Sequence, residues 1–477
     1  MKQILITLVL LTLLSSTYLR SQENAPFLTG KVIVSISEGT FECDLTLSEI
    51  PQIEDYFIRL NSGMNLLHMR SKDPEDFLIY YRKSRNDSLS TGESTAYYFR
   101  DTDKKGKFLP KTIQFKYVGK FPVVKDTIVN YARKDWKGNI AFNQNAVRSD
   151  GRQSAWYPIL YDIKNDKVFE RVKYNIEVTC TDCSTLYVNG NKPIKAKSHN
   201  FKSMYAQELV LFCGNYDFKK LDNTYFLNSG FNQNEVKEFG KLINSYKQYY
   251  ARNLKITFDE SVSFIQTTPI SKKDGWMFVS YPTIVSIGWQ NGLRSILEPE
   301  YQNFYRSFIA HELGHLYFGT LKMFNSELGD MMSEGFAEFL SLNLTRNLIS
   351  EKTYRELIDK KIKNLENFNA IPFAKIKSHS EYNNRQLYVY DYAPLIFLSM
   401  ESEIGEKKMW NWLNIILTVD TRFTNYDFLT STLKQAINND KKYNTLKTKY
   451  FETEKSFENV IKVLKSKQKK KNKNGDG

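Results

Sequence analysis

The segment HELGH, from His311 to His315, has the residue types and spacing of a catalytic metal site. If the segment is helical, positions four apart share one face, so both imidazoles can reach one Zn²⁺ ion. Glu312 lies to one side of that face, where its carboxylate can take a proton from a water held by the ion. The chain has only five histidines, and the other three show no ligand-like spacing. The pattern therefore predicts a zinc-dependent hydrolytic site.

A third metal ligand is expected from Glu334, which follows His315 after 18 intervening residues. Two histidines and one glutamate commonly hold catalytic zinc and leave an open position for water. Ser333 has the residue type of a helix N-cap, and apolar residues follow at helical spacing. The sequence therefore predicts that a second helix begins near Ser333, and that His311, His315 and Glu334 bind one zinc ion with Glu312 as general base.

Two acidic residues near the third ligand are candidates for orienting a histidine. Asp330 precedes Glu334 by four residues, and Glu338 follows it by four. Either carboxylate could accept the free ring N–H of a ligand histidine and so fix its tautomer. An exposed acidic residue without this role is the alternative interpretation for each.

The segment from His311 to Leu340 resembles the aminopeptidase N-like family of zinc gluzincin metallopeptidases. The family signature is HExxH, then 18 residues, then a glutamate that begins an EGFA segment. This chain has Glu334-Gly335-Phe336-Ala337 at that place. The resemblance implies a zinc-dependent peptidase with peptide substrates and a thermolysin-like catalytic domain.

The resemblance also implies a tyrosine beyond the third ligand, whose hydroxyl stabilises the oxyanion of the reaction. Tyr390 stands at that place, 56 residues after Glu334, although the Lys-Gly pair that usually follows is absent. Tyr388 and Tyr392 are alternative candidates, and a buried tyrosine without a catalytic role is a further interpretation. Tyr390 is therefore the second predicted catalytic residue, beside Glu312.

One motif of the family is only partly present. Family aminopeptidases have a G-x-M-E-N strand before HExxH, whose glutamate pairs with the free α-amino group of the substrate. The segment 275–279 keeps the Gly and the Met, but Phe278 and Val279 replace the Glu and the Asn. An ammonium group beside Phe278 would lack a carboxylate partner, although the strand could still bind an extended peptide by main-chain hydrogen bonds. Aminopeptidase action and cleavage within oligopeptides therefore both remain open.

Two further hypotheses are compatible with these residues. The chain could hydrolyse a non-peptide substrate such as an ester or an epoxide, because zinc chemistry does not itself select an amide. It could also be an inactive zinc-binding interaction protein, although a scaffold has no chemical need for the base Glu312.

The elements that must position these residues are indicated by hydrophobic periodicity. From about Leu28 to Asn200 apolar and polar residues alternate, which predicts antiparallel β-structure. Strands at 256–265 and 276–280 precede the zinc helix, and the chain after 345 is mostly helical. We therefore expect an α+β multidomain fold with a β domain, a thermolysin-like zinc catalytic domain and a helical C-terminal part. The predicted boundaries are 1–21 for a signal peptide, 22–203 for the N-terminal β domain, 204–345 for the catalytic domain, 346–467 for the helical part and 468–477 for a basic disordered tail.

The N-terminal segment has the pattern of a signal peptide. A lysine precedes an apolar run from Ile4 to Leu14 that is too short to span a bilayer, and small polar residues follow. We therefore expect export to the periplasm or the extracellular space, without a transmembrane segment in the mature chain.

In an exported chain Cys180 and Cys183 could form a local disulfide. A structural zinc site is the alternative use of this pair, but it would need a second pair of ligands, and none is evident.

Part of the formal net charge of +14 lies in the lysine-rich C-terminal end. Like charges repel one another, so this end is predicted to be solvated and disordered. Without a stripe of basic and aromatic residues the charge does not indicate nucleic-acid binding. The composition, 41% hydrophobic and 25% charged, is that of a globular protein, and the oligomeric state stays open.

Overall fold

The chain divides into two compact units. A computed structural model describes residues 25–84, 93–102, 106–124, 127–128, 140–165, 167–258, 261–267, 270–271, 276–288 and 291–474, so the predicted signal peptide lies outside the described residues. The first unit contains Met1–Asp217 and Thr267–Asp274, and the second contains Phe218–Gln266 and Gly275–Gly477. The predicted α+β fold class, with antiparallel sheets first and a helical region last, is confirmed.

Strands are numbered along the chain, and most of them lie in the first unit. They are β1 (Phe27–Ser35), β2 (Thr40–Ser48), β3 (Tyr56–Asn61), β4 (Met64–Asp73), β5 (Phe77–Leu78), β6 (Tyr81–Ser84), β7 (Ser94–Phe99), β8 (Asp101–Thr102), β9 (Gly106–Lys107), β10 (Thr112–Lys120), β11 (Thr127–Ile128), β12 (Ile140–Phe142), β13 (Ala146–Ser149), β14 (Ile159–Asp162), β15 (Lys167–Phe169), β16 (Arg171–Cys180), β17 (Thr185–Val188), β18 (Ser198–Glu208), β19 (Leu211–Gly214), β20 (Phe218–Leu221), β21 (Thr224–Leu227), β22 (Val262–Thr267), β23 (Ile270–Ser271), β24 (Trp276–Ser280) and β25 (Thr283–Ile287).

The largest sheet of the first unit follows from the alternating sequence pattern. Its order is β18-β16-β1-β2-β10-β4-β5, and all neighbours are antiparallel except β1 and β16. In β2 the alternating residues Phe41, Cys43, Leu45 and Leu47 are buried, whereas the residues between them are not, so one face of the sheet forms the core. Because β18 and β19 belong to sheets of this unit, the unit ends at Asp217 and not near the predicted 203.

Cys180 and Cys183 form a local disulfide, the possibility that the sequence left open. The disulfide closes the turn that follows β16. Within this turn, one carboxylate oxygen of Asp182 accepts a hydrogen bond from the hydroxyl of Ser35 at 2.9 Å. The turn is thereby attached to the end of the neighbouring parallel strand β1.

The second unit combines a five-stranded sheet with most of the helices. The order of the sheet is β20-β21-β22-β25-β24, so β24 is an edge strand among the described residues. A short helix of the first unit, α1 (Gly151–Ser154), precedes the helices of this unit. These are α2 (Gln233–Leu254), α3 (Gln302–Gly314), α4 (Gly329–Leu344), α5 (Glu351–Asn364), α6 (Ala393–Ile404), α7 (Glu406–Thr418), α8 (Tyr426–Ile437), α9 (Asp440–Lys447) and α10 (Ser456–Asn474), with 3₁₀ turns at Gly292–Ile296, Phe373–Lys375 and His379–Tyr382 and π-type turns at Thr345–Ile349, Leu387–Tyr392 and Thr448–Glu452.

Aromatic rings hold the centre of the helical core together. Phe336 of α4 stacks on Phe397 of α6 with ring centroids 4.4 Å apart, and both rings contact Trp412 of α7. All three side chains are fully buried. Because the centre of α4 packs tightly against α6 and α7, the helix cannot rotate about its axis. The side chains on its other faces therefore keep a fixed orientation.

Helix α10 continues into the lysine-rich C-terminal end. It runs to Asn474, so the structure differs here from the predicted disordered tail from 468 onward. Lysine has a high helix propensity, and a helix that is already formed extends at little cost. Within the described ranges no helix combines the length and the apolar character that crossing a membrane requires.

Candidate active site

Helices α3 and α4, which carry the predicted zinc ligands, pack very closely together. A Cβ atom at Gly314, the last residue of α3, would lie only 3.0 Å from the Cα atom of Ala337 in α4. A side chain at Gly314 would require α4 to shift by a few tenths of an ångström. The glycine within the HELGH segment therefore lets Glu334 of α4 approach His311 and His315.

The donor atoms of the three predicted ligands form a nearly equilateral triangle. Nε2 of His311 lies 3.1 Å from Nε2 of His315, and Oε2 of Glu334 lies 3.3 and 3.2 Å from these two nitrogens. Three corners of a tetrahedron with a metal–ligand distance of about 2.0 Å lie about 3.3 Å apart. The structure therefore brings the predicted ligand set together with the spacing of a tetrahedral zinc site.

The hydrogen bonds of the two imidazoles indicate what the triangle must hold. Nδ1 of His311 contacts a carboxylate oxygen of Glu338 at 2.8 Å, and Nδ1 of His315 contacts the carbonyl oxygen of Phe318 at 3.1 Å. Both partners are acceptors, so Nδ1 carries a proton, and in the neutral form of each ring the lone pair of Nε2 points into the triangle. Oε2 of Glu334 is buried there without a hydrogen-bond partner among the described residues. A proton or a metal ion must therefore bind at this point.

The titration properties of these groups are those of a site built around a positive charge. Burial lowers the pKa of His311, but the adjoining carboxylates of Glu334 and Glu338 outweigh this effect and raise the pKa to about 10 in the metal-free protein. Burial would raise the pKa of Glu334, yet the imidazoles hold it well below its usual value. Two imidazole nitrogens and one carboxylate oxygen suit zinc. The residues present therefore fit this ion.

Of the two acidic residues predicted to orient a histidine, the structure places Glu338 against His311. The other oxygen of Glu338 lies 2.7 Å from Nζ of Lys361, a buried residue that the sequence reasoning missed. Burial would raise the pKa of Glu338, but Lys361 and His311 lower it to about 2. Lys361 also donates a hydrogen bond of 2.7 Å to the carbonyl oxygen of Tyr390. This lysine therefore connects the partner of His311 with the tyrosine segment.

Asp330 and Ser333 have contacts other than the predicted ones. Asp330 accepts hydrogen bonds of 2.7 and 2.6 Å from Arg385, a second residue that the sequence reasoning missed.

The predicted N-cap at Ser333 is wrong, because α4 already begins at Gly329. The hydroxyl of Tyr382 bonds backbone groups at this end of α4. A distant side chain thus satisfies the helix terminus that a local cap usually satisfies.

Glu312, the predicted general base, is buried next to the triangle, with only 5% of its surface exposed. Burial raises the pKa of this carboxyl group, and the charges of His311 and His315 oppose the rise. Nearby Glu334 and Glu338 raise it further. Glu312 is therefore a carboxylate with a strengthened affinity for a proton.

Tyr390 is the one of the three candidate tyrosines that faces the site. Its ring centroid lies 5.7 Å from that of His311. The hydroxyl of Tyr388 instead donates to the carbonyl of Ile371, and that of Tyr392 pairs with a serine hydroxyl. Burial, together with the nearby Glu334, raises the pKa of Tyr390, so its hydroxyl keeps its proton and can donate a hydrogen bond.

Comparisons with known proteins establish the fold. No protein-family model matches the sequence, and no curated protein matches it. A variant of the M1 zinc metallopeptidase from Deinococcus radiodurans, bound to a Tyr-Ser-Ala substrate, is similar with a TM-score of 0.60 and 11% identity, over 89% of this chain and 93% of that chain. Native yeast LTA4 hydrolase is similar with a TM-score of 0.61 and 9% identity, over 89% of this chain and 67% of that chain. The chain therefore has the fold of the M1 zinc metallopeptidases.

Proposed function

We propose that the chain is a zinc-dependent peptidase that hydrolyses peptide bonds. The observation that carries the proposal is the triangle of His311, His315 and Glu334. The lone pairs of its three donor atoms point at one place, where a positive charge is needed to offset their mutual repulsion. When bound, zinc supplies Lewis-acid chemistry that activates water and polarises the scissile carbonyl. The M1 metallopeptidase fold supports peptides as the substrate class.

Glu312 and Tyr390 perform the proton chemistry in this proposal. The carboxylate of Glu312 takes a proton from the attacking water and delivers it to the leaving amine. Its raised pKa suits both transfers, because the base holds the proton firmly enough between them. The Tyr390 hydroxyl donates a hydrogen bond to the oxyanion that develops at the scissile carbonyl.

The edge strand β24 is the proposed binding place for the peptide main chain. Helix α3 packs against this strand, which pairs with β25 on one side. An edge strand offers main-chain groups to an extended peptide. Phe278 and Val279 are half-buried on β24, where the resemblance would place the Glu and Asn of an amine-binding motif. We therefore propose a preference for apolar peptide side chains without a strict requirement for a free N-terminus.

Metal analysis together with hydrolysis of a peptide library, read by mass spectrometry, tests the function. We expect one zinc ion per chain and peptide cleavage. Cleavage of free but not of acetylated N-termini would assign aminopeptidase action, and equal cleavage of both would assign endopeptidase action. Zinc binding with turnover of esters or epoxides alone would indicate a non-peptide hydrolase. Zinc binding without any turnover would indicate an interaction protein.

We also propose that the chain is exported. The leader pattern at 1–21 and the disulfide between Cys180 and Cys183 support this location, since disulfides persist in oxidising compartments. N-terminal sequencing of the mature protein from the extracytoplasmic fraction would test it, and an intact residue 1 in the cytoplasmic fraction would contradict it.

Replacing Tyr390 by Phe should lower kcat by about 10²–10³-fold, because one hydrogen-bond donor to the oxyanion is lost. KM and zinc content should stay close to those of the parent. Steady-state kinetics and metal analysis measure these quantities. Tyr388→Phe is the matched control, since it removes a buried hydroxyl that bonds Ile371 instead. Equal losses in both variants would contradict the role of Tyr390.

Replacing Glu338 by Gln should weaken zinc binding by about 10–100-fold, because the partner that orients His311 loses its charge. The ammonium of Lys361 is then buried beside a neutral amide, so we also expect lower stability. Competition with a chromogenic chelator and thermal unfolding measure the two effects. Glu356→Gln, at a glutamate whose side chain is 62% exposed, is the control. Unchanged zinc affinity in Glu338→Gln would exclude the orienting role.

A further inference from the structure

Arg385 lies against both the third predicted ligand and the predicted catalytic tyrosine. Its Nε and Nη2 atoms donate hydrogen bonds of 2.7 and 2.6 Å to the carboxylate of Asp330. Nη2 also donates a hydrogen bond of 3.1 Å to Oε1 of Glu334. The guanidinium carbon stands 5.6 Å from the ring centroid of Tyr390. One planar group thus contacts three residues around the proposed zinc site.

The two oxygens of Glu334 consequently have different environments. Oε1 accepts the hydrogen bond from Arg385, whereas Oε2 is turned toward His311 and His315. A carboxylate without such a contact could rotate and exchange its oxygens. The hydrogen bond also draws electron density toward Oε1, and charge-assisted bonds of this kind are strong and directional.

Asp330 determines the direction of the arginine. It precedes Glu334 by one turn of α4, so both carboxylates point from the same face of the helix. The fork of the guanidinium matches a carboxylate in a two-point contact, which a lysine ammonium cannot reproduce. Arg385 is therefore held against α4 at a fixed angle and spans from this helix to the segment that carries Tyr390.

We infer that Arg385 is a positioning residue for the zinc site. Asp330 fixes the arginine by two hydrogen bonds. The arginine in turn holds Glu334 with one oxygen directed at the two imidazoles, and it keeps the ring of Tyr390 beside them. The inference rests on the proposed zinc-dependent function. It predicts that removing Arg385 weakens zinc binding, whereas removing another exposed ion pair of this unit does not. The side chain of Arg385 is 44% exposed, and an ion pair this accessible adds little to folding stability.

Zinc affinity of the full-length protein, measured by competition with a chromogenic chelator, tests the inference. In Arg385→Met we expect binding to weaken by about 10–100-fold, as for other contacts that orient ligands, with an unchanged melting temperature of the metal-free protein. Arg385→Lys should recover only part of the loss, because it restores the charge without the fork. Asp330→Asn should weaken binding in the same direction, since the arginine loses its anchor.

Arg355→Met is the matched control. Arg355 is 47% exposed and pairs with Glu351 at 3.2 Å, one turn earlier on α5 of the same unit. We expect no change in its zinc affinity. If Arg385→Met binds zinc within twofold of the parent, the inference is overturned. A higher KM for Arg385→Met with unchanged zinc affinity and kcat would also overturn it, because the arginine would then contact the substrate.

The zinc measurement separates this inference from the proposed function. A parent protein that binds zinc and hydrolyses no peptide contradicts the peptidase proposal, while the affinity of Arg385→Met still decides the positioning role. A parent protein that hydrolyses peptides, together with a variant of undiminished zinc affinity, contradicts the positioning role alone. A parent protein that binds no zinc contradicts both.

Discussion

Glu312→Gln is expected to lower kcat by about 10²–10⁴-fold, the range typical for removal of a general base. Glutamine has nearly the same shape but its amide cannot accept the proton of the attacking water. Glu312 is buried beside His311 and His315, so a base from the solvent cannot easily take its position. Single-turnover kinetics on a peptide cleaved by the parent protein would measure the loss in the chemical step.

Zinc content decides how the loss of activity in Glu312→Gln is interpreted. The three donor atoms of the triangle are untouched by this substitution, so we expect one zinc ion per chain to remain. Glu356→Gln, an exposed glutamate on α5, should retain full activity. Undiminished turnover in a zinc-loaded Glu312→Gln protein would refute the general-base role. Loss of zinc together with activity would show that Glu312 acts on the metal site and not on the proton.

The residues of the triangle could be predicted because their residue types occur at the short sequence spacings that are typical of zinc ligands. His311 and His315 are one helical turn apart, and this pairing of residue types predicts two ligands of one zinc ion. Glu334 lies on another helix, and only the resemblance and the usual third ligand pointed to it. The absence of a side chain at Gly314 permits the close approach of the two helices, but a single glycine within a motif does not predict which helix it will contact.

Lys361 and Arg385 could not be assigned from the sequence, because their partners are distant along the chain. Lys361 lies 23 residues after Glu338, and Arg385 lies 51 residues after Glu334. One signal for Lys361 was present: it shares the buried face of α5 with Ile358, where an apolar residue is expected. A lysine within an apolar stripe indicates a buried partner. Arg385 precedes the π-type turn at Leu387–Tyr392 and gives no comparable signal.

The fold was predictable where one residue type repeats with one period. Alternation predicted the sheets of the first unit, and helical spacing predicted the mostly helical chain after residue 345. The start of α4 was not predictable, because Tyr382 replaces the expected cap. The end of the first unit was missed for a similar reason: β19 is a short, fully buried strand without alternation, and periodicity cannot assign such a strand.

His315→Ala is expected to abolish activity through loss of the metal. Structural zinc in peptides is bound by about 10–16 kcal/mol through four ligands, so one ligand corresponds to roughly 2.5–4 kcal/mol, or about 10²–10³-fold in affinity. Oε2 of Glu334 and Nε2 of His311 would remain as a two-atom site. Chelator competition measures the affinity, and metal analysis after dialysis should find little zinc in the variant.

Thermal unfolding gives an independent measurement of the same loss in His315→Ala. Zinc at about 100 times its Kd stabilises the folded parent by about 2.7 kcal/mol, which corresponds to a rise of about 5–10 °C in the Tm of a unit of this size. Adding zinc should therefore raise the Tm of the parent and leave that of His315→Ala unchanged. His199→Ala, at an exposed histidine of β18 in the first unit, should respond to zinc like the parent. A zinc-dependent rise in His315→Ala equal to that of His199→Ala would show that the ion binds elsewhere, and the triangle would then have no role in metal binding.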